Sequence, residues 1–409
     1  MNNSQQMVTA LQKQDLVQAD HYLEEALKQD TADELLDLAE YLESIGFFPQ
    51  VKKIYEKLAP LYPEAYIGLA MIASDEGDLE KAFAYLEEIQ SDSDWYATAL
   101  LTKADFYQME GLADVAKEKL LEATQLSADP IILFALAEID FELGNFSQAI
   151  KNYAQLDHQE IYKQTGISTY QRIGASYASL GKMEVAIEFL EKSVELEYDD
   201  ATVYELAIIF YDQEEYQKAN LYFKQLDTIS PEFEGYEYGY ALSLHAEHKI
   251  DQALEIAKQG LAKNPFNTRL LLLASQYSYE LHDVESAENY LLEAQKDAED
   301  LEEITLRLTN LYLEQERYDD IVAFEDDDIQ NVLTRWNIAR AYYLLDNLEK
   351  AEVAYRELAP DLQKNPEFLE QYIYLLRELG DFETAKRQAK RYIDLVPDDG
   401  AMQDFYDSL

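Results

Sequence analysis

A two-helix pattern that recurs about every 34 residues constrains this chain more than any other feature of its sequence. Its clearest copy runs from Ile173 to Leu190, where the small residues Gly174 and Ala186 let two helices approach and Tyr177 and Leu190 fill the remaining space. The residue that opens the second helix recurs at intervals of 30 to 37 residues: Ala19, Val51, Ala82, Ala116, Ala149, Ala186, Ala219, Ala253, Ala287, Ile321, Ala351 and Ala385. Twelve repeats therefore occupy the full length and leave no room for a separate globular domain.

Two further positions recur with the same period. A small residue lies twelve positions before the opening residue in most repeats, as at Ala39, Ala104 and Gly174. Five positions before it, six repeats have a glycine that permits the left-handed conformation ending a helix: Gly46, Gly77, Gly111, Gly144, Gly181 and Gly380. Other repeats place Glu214, His248, His282, Glu316 and Asp346 there. We expect a turn at all of these positions.

This pattern resembles the tetratricopeptide repeat, a helix-turn-helix of 34 residues, over essentially the whole chain. The acidic, cysteine-free, all-repeat architecture is similar to that of cytosolic repeat proteins of low-GC Gram-positive bacteria. The resemblance implies an all-α fold, a right-handed α-α superhelix of about twelve helix-turn-helix repeats. First helices would line its concave face and second helices its convex face.

Two irregularities suggest subdivisions. The join at 164–169 is stretched, so we predict an N-terminal array of about five repeats at 1–166 and a C-terminal array of about seven at 167–397. A capping tail would follow at 398–409, with Met402, Phe405 and Tyr406 on the last repeat. In the tenth repeat, Glu325 and Asp328 replace apolar residues, which predicts a short or distorted second helix. The run Glu325–Asp328 lacks the glycine of a calcium loop, and an exposed acidic run is the simpler interpretation.

Composition excludes several classes of function. The chain has 33 basic and 82 acidic residues and a formal charge of −49, which repels nucleic acids and anionic membranes. Cysteine is absent, so disulfides, thiolate metal sites and a cysteine nucleophile are excluded. The start Met1–Gln6 has no features of a signal peptide, and no apolar run reaches about 18 residues. We therefore expect a cytoplasmic protein.

No motif points to catalysis. Phosphate-binding glycine loops and the G-x-S-x-G elbow are absent from the sequence. His245 and His248 do not form the H-E-x-x-H zinc motif, and a solvated helix end explains them better. We predict a non-enzymatic protein with no catalytic residues, cofactor or metal.

The resemblance implies that ligand contacts come from the first helices. At those positions the predicted partner-binding residues are Tyr204, Tyr211, Tyr238, Arg269, Tyr279, Trp336, Arg340, Tyr343, Tyr374 and Arg377, with Gln276 and Asn310 at two more. Arginine with tyrosine and tryptophan is typical of interface anchors, and Trp336 with Arg340 is the favoured pair. The alternative is that many of these aromatic residues pack between helices. The lysine and asparagine residues of the family's clamp for C-terminal carboxylates are missing.

We therefore expect a scaffold that binds a partner protein or an extended peptide in its concave groove, with no nucleic acid or membrane partner. One alternative is a regulatory peptide receptor of the bacterial repeat type, although no DNA-binding domain precedes the repeats. Another is an enzyme with an unrecognised site in the join after Gln164. The basic cluster Lys386–Arg391 lies on the last second helix, as a solvated face or a docking spot for an acidic partner.

Overall fold

The computed structural model describes residues 1–298, 300–325 and 328–408, and within these ranges every regular element is a helix. Residues 1–206 and 207–409 form two compact units, called here the N-terminal and the C-terminal unit, whose boundary falls within one helix, α14. The all-α repeat fold predicted from the sequence is confirmed. The division after Gly166 stays a prediction.

The helices of the N-terminal unit are α1 (Asn3–Gln12), α2 (Leu16–Gln29), α3 (Ala32–Ser44), α4 (Phe48–Leu58), α5 (Glu64–Asp75), α6 (Leu79–Glu87), α7 (Tyr96–Met109), α8 (Ala113–Leu126), α9 (Pro130–Glu142), α10 (Phe146–Tyr153), α11 (His158–Thr165), α12 (Thr169–Ser179), α13 (Met183–Leu196) and the start of α14 (Asp200–Asp212). Those of the C-terminal unit are α15 (Tyr216–Ile229), α16 (Tyr236–Ala246), α17 (Ile250–Lys263), α18 (Thr268–Glu280), α19 (Val284–Asp297), α20 (Glu302–Glu314), α21 (Tyr318–Val322), α22 (Val332–Leu344), α23 (Leu348–Leu362), α24 (Pro366–Glu378), α25 (Phe382–Leu395) and α26 (Gly400–Ser408). Apart from α11 and α26, they pair into the twelve predicted repeats.

Each repeat joins its two helices by a turn of 3 residues whose middle residue has a positive φ. All predicted turn positions are confirmed, and the first repeat adds Gln14 with φ 60°. The N–H after the turn residue donates to a carbonyl oxygen five residues earlier, as from Lys182 to Tyr177 at 2.9 Å. This is the bond of a Schellman cap, which satisfies the last carbonyl groups of the first helix.

Close packing within a repeat depends on the small residues that recur in the sequence. A Cβ atom added to Gly174 would lie 2.6 Å from Leu190 Cγ and 3.1 Å from the carbonyl oxygen of Ala186. Ala186 and Leu190 are fully buried in the same contact. The glycine therefore lets α12 and α13 approach more closely than a side chain would permit.

The two irregular stretches of the sequence form an additional helix after the fifth repeat and a shortened second helix in the tenth. The long join after the fifth repeat contains α11, an additional helix that buries Ile161 and ends at Gly166 with φ 72°. In the tenth repeat α21 has only 5 residues, which confirms the predicted short helix; Asp326 and Asp327 of the acidic run lie outside the described residues. At the end, α26 buries Met402 on the core of the C-terminal unit.

Candidate protein-binding groove

Four arginines form a diagonal on successive first helices of the C-terminal unit. Arg269, Arg307, Arg340 and Arg377 lie 13, 9, 6 and 3 residues before the turn residue of their own repeats. Steps of three or four residues keep a position on one face of a helix and move it by one turn. The four residues, called here the arginine stripe, therefore share one face and advance about one turn per repeat.

Hydrogen bonds between positions 35 residues apart keep these first helices in register. The Tyr279 hydroxyl donates to Glu314 Oε2 at 2.6 Å, and the Tyr343 hydroxyl donates to Glu378 Oε1 at 2.8 Å. His245 Nε2 lies 2.8 Å from Glu280 Oε2 in the same arrangement. The predicted binding residues Tyr279 and Tyr343 thus hold neighbouring repeats together with their hydroxyl groups, while the Tyr279 ring remains 42% exposed.

These contacts also set the ionisation of the tyrosines. The hydrogen bond to Glu314, with a smaller effect of desolvation, raises the pKa of Tyr279. Burial and the hydrogen bond to Glu378 raise the pKa of Tyr343 to about 12. Both hydroxyls therefore remain protonated donors at neutral pH.

A cavity of about 420 Å³ lies between the ninth and tenth repeats on this face. It is lined by Ser275, Gln276, Tyr279, Ala287, Leu291, Arg307, Asn310, Leu311 and Glu314. Arg307 is held at its edge because Nη2 donates to Glu303 Oε1 at 2.6 Å and Nη1 donates to the carbonyl oxygen of Leu272 at 3.3 Å. The stripe therefore passes a concave site that has both apolar and amide walls.

The buried residue Asn337 orients the amide group of Asn310, which lines this cavity. Asn337 is 4% exposed, and its amide group donates to Asn310 Oδ1 at 2.7 Å and to Thr309 Oγ1 at 3.1 Å. The carbonyl side of the Asn310 amide is thus fixed, and in the described part of the chain its Nδ2 has no hydrogen-bond partner. Gln276 donates to Glu280 at 2.9 Å and leaves its own amide oxygen available. One free donor and one free acceptor match the groups of a peptide bond.

The remaining predicted residues occupy different surroundings. The guanidinium of Arg269 lies 3.9 Å from the centre of the Tyr238 ring, a cation–π contact between the eighth and ninth repeats. Tyr211 packs on Tyr216 with ring centres 5.7 Å apart. Tyr204 is half-buried and belongs to the N-terminal unit, whereas the other nine predicted residues belong to the C-terminal unit.

The end of the predicted site is covered by the chain itself. Phe405 of α26 packs edge-on against Tyr374, with 5.6 Å between the ring centres. The guanidinium of Arg377 lies 5.1 Å from the centre of the Phe405 ring. Tyr374 and Arg377 remain exposed on their other sides. They are therefore part of the last repeat's cap as well as candidate contacts.

Trp336 requires a correction, because it is only 6% exposed. Its ring packs edge-on against Phe368 at 5.9 Å, and its Nε1 donates to Gln371 Oε1 at 3.0 Å. The predicted pair is close together, since Arg340 lies 5.7 Å from the Trp336 ring centre, but only Arg340 is at the surface. Trp336 is thus a core residue and cannot act as an exposed anchor.

Sequence reasoning missed Arg307 and Asn337. Arg307 falls one position away from the first-helix positions from which the binding residues were predicted, so a fixed template passes over it. The sequence does contain a signal for Arg307, because the position of arginine within the first helix shifts by three or four residues from one repeat to the next. Asn337 had no such signal, because its role depends on Thr309 and Asn310 in the preceding repeat.

Two negative findings apply to the described residues. No group of three or more His, Asp or Glu side chains there has an arrangement that could hold a metal ion. Among the helices in the same ranges, none has the length and apolar character that a membrane crossing requires.

Family models match four parts of the chain. A model of YpiA-like C-terminal tetratricopeptide repeats matches residues 333–399, and a model of YpiA-like tetratricopeptide repeats matches residues 108–161. A general tetratricopeptide repeat model matches residues 63–91 and 167–200. The first match includes the helices that carry Arg340 and Arg377.

Among curated proteins, the TPR repeat-containing protein YpiA of Bacillus subtilis (strain 168) is 28% identical over 349 residues, which are 83% of this chain and 81% of YpiA. Among solved structures, the APC/C hetero-tetramer Cut9–Hcn1 is matched at 14% identity and a TM-score of 0.37, over 98% of this chain and 95% of that one. A tetratricopeptide repeat protein from Parabacteroides merdae ATCC 43184 is matched at 14% identity and a TM-score of 0.41, over 60% and 98%.

Proposed function

We propose that this chain, a tetratricopeptide repeat protein of the low-GC Gram-positive type, is a non-enzymatic cytoplasmic scaffold that binds an extended, acidic segment of a partner protein. The observation that carries the proposal is the arginine stripe. The chain has a formal charge of −49, yet four first helices in succession present a guanidinium group on one face. Guanidinium groups bind carboxylates through paired hydrogen bonds, so this face suits an acidic ligand.

The two ends of the stripe are open to a ligand, whereas Arg307 and Arg340 pair with Glu303 and Glu367 of the chain itself. Arg269 and Arg377 are exposed, and within the described ranges neither has a carboxylate at ion-pair distance. Each instead has one face on an aromatic ring, Tyr238 or Phe405, which holds the guanidinium group in place. Such preorganised arginines lose little side-chain freedom on binding.

The geometry also gives a spacing for the ligand. Neighbouring helices lie about 8–10 Å apart and one turn rises about 5.4 Å, so a diagonal step is about 10–11 Å. An extended chain covers that distance in about three residues. The ligand should therefore carry Asp or Glu at every third position, with its backbone against the amide groups of Gln276 and Asn310.

The test uses fluorescein-labelled peptides of 12 residues, one with glutamate at every third position and one with the same composition in scrambled order. Fluorescence anisotropy with the full chain should show tighter binding of the first peptide. Arg269→Glu/Arg377→Glu should weaken that binding by at least about tenfold, since two ligand carboxylates then meet like charges. Both residues are exposed, so the variant should fold.

The matched control is Arg387→Glu/Arg391→Glu, which makes the same charge change on the second helix α25. It should change binding by less than about twofold. Equal weakening in both variants would mean that overall charge, not the stripe, attracts the peptide. No binding of either peptide at about 1 mM would contradict the proposal.

A further inference from the structure

A further cavity lies beside the truncated helix α21 of the tenth repeat. The second helices α19 and α25 have 14 residues, whereas α21 has 5. About nine residues are missing, which corresponds to about 13 Å of helix. The helices α22 and α23, whose side chains line the space beside α21, therefore lack the partner that a full second helix would give them there.

The sequence explains why α21 stops. Four and seven residues after the opening residue, other repeats place buried apolar side chains, as at Leu291 and Ala294 or at Tyr355 and Leu358. In the tenth repeat these positions are Glu325 and Asp328, and both are exposed. A continued helix would carry two carboxylates into the core, which is too costly without partners.

The missing turns leave a cavity of about 510 Å³ on the second-helix side of the repeats. Its floor is apolar: Phe324, Ile329, Ile338, Tyr342, Val353, Ala354 and Leu358. Val353 is 52% exposed, so the apolar floor is open to solvent. We call this cavity the truncated-helix cleft.

The rim of the cleft keeps a negative charge after its own ion pairs are counted. Lys350 pairs with Glu325 at 2.5 Å, and Arg335 pairs with Glu357 at 2.9 Å. Glu349 lines the cleft without a cationic partner in the described part of the chain. A chain of charge −49 surrounds this rim, so a second copy would be repelled and a basic segment attracted.

We propose that the truncated-helix cleft receives a basic amphipathic helix of a partner protein. The helix would place apolar side chains on Val353 and Ile338 and lysine or arginine side chains against Glu349 and the rest of the rim. It would complete the tenth repeat from outside, as a helix laid in an apolar groove. The cleft and the arginine stripe differ in ligand charge, so the two proposals fail separately.

The probe is a labelled peptide of 14 residues, the length of α19, with leucine and alanine along one helical face and lysine elsewhere. Its control has the same composition in an order that spreads the leucines around the helix. Anisotropy should show that the full chain binds the amphipathic peptide at least about tenfold more tightly than the control. Equal binding would mean general attraction to an acidic protein and would overturn the proposal.

Two variants locate the binding. Val353→Arg blocks the apolar floor and repels lysine, and it should weaken binding by about tenfold or more; because Val353 is half exposed, the variant should fold. The matched control Val17→Arg makes the same change at a valine that is 83% exposed in the N-terminal unit, and it should leave this peptide's affinity within about twofold. Unchanged affinity in Val353→Arg would overturn the proposal.

A third variant lets the chain fill its own cleft. Glu325→Leu/Asp328→Ala restores the apolar pattern of the other repeats, so α21 should lengthen, the Tm should rise and peptide binding should fall about tenfold. Full peptide binding without a rise in Tm would contradict the proposed site. Sedimentation that shows a dimer broken by Val353→Arg would assign the cleft to a second copy and would also overturn the proposal.

Discussion

The N-terminal and C-terminal units build the same turn from different residues. In the first six repeats the left-handed position is glycine five times, with Gln14 as the exception; in the last six it is glycine only at Gly380. The φ values of the other residues, such as 64° at His282 and 60° at Asp346, are close to the 73° of Gly111. The cap hydrogen bond is the same, at 2.8 Å from Leu112 to Tyr107 and 2.9 Å from Asp283 to Ser278.

The comparison shows that helix packing, not glycine, determines the turn. A side chain in the left-handed region costs about 1 kcal/mol, and the C-terminal unit bears that cost five times. The C-terminal unit has more aromatic residues in its core. Among the largest fully buried side chains of the described residues, the aromatic ones in this unit are Tyr236, Tyr277, Tyr355, Phe210, Phe223 and Phe368, and the one in the N-terminal unit is Tyr153. Nine of the ten arginines also belong to the C-terminal unit. The two units share a backbone pattern but differ in how they are stabilised and in what they present.

The two tryptophans test this difference most strongly, since each unit has one. Trp336→Ala should lower the free energy of unfolding by about 3–5 kcal/mol, because it removes a buried ring and its bond to Gln371. Trp95→Ala should cost less than about 1 kcal/mol, because that ring is 42% exposed. Urea unfolding followed by circular dichroism measures both. Similar losses would contradict an aromatic core concentrated in the C-terminal unit.

Trp336 also shows where sequence reasoning ends. The period gave the repeats, the turn positions and the short α21, because each depends on residues within one repeat. The spacing of Trp336 and Arg340 placed them on one helix face. Whether that face is covered depends on Phe368 and Gln371 in the next repeat, which no single-repeat pattern contains. The extra helix α11 was missed for a related reason, since it belongs to no repeat.

The second test addresses the close approach inside the N-terminal unit. Gly174→Ala should destabilise the chain by about 1–3 kcal/mol, because the added methyl group would meet Leu190 and the Ala186 carbonyl. Gly400→Ala is the control, since its Cβ atom would meet nothing within 4 Å and should have little effect. Thermal unfolding of both variants decides. A neutral Gly174→Ala would mean that α12 and α13 can separate as easily as the helix pairs that have alanine at this position.

The third test exchanges the turn residues of the two units. Gly111→Ala should destabilise by about 1 kcal/mol, since alanine must then adopt φ near 73°. His282→Gly should stabilise by about 0.5–1 kcal/mol, because it removes the same strain from the C-terminal unit. Opposite changes in the urea midpoint would confirm one shared backbone requirement. If His282→Gly destabilises, the histidine side chain contributes a contact that outweighs the strain of its turn.

The smallest effect distinguishes the hydrogen bonds that join successive repeats. The N-terminal unit uses an amide, from Gln108 to Glu142 at 2.6 Å, where the C-terminal unit uses the Tyr343 hydroxyl on Glu378. Tyr343→Phe and Gln108→Ala should each cost about 0.5 kcal/mol at pH 8, since these are partly exposed bonds.

Burial and the bond to Glu378 raise the pKa of Tyr343 to about 12, above the value of about 10 in an unfolded chain. The contribution of the Tyr343 hydroxyl to the free energy of unfolding is therefore complete below about pH 10 and is lost as the pH rises through about 12. The cost of Tyr343→Phe in urea unfolding should shrink between about pH 8 and 11.5, whereas that of Gln108→Ala should stay constant because an amide does not titrate. If both costs keep the same value at the higher pH, the Tyr343 hydroxyl does not hold the eleventh and twelfth repeats together.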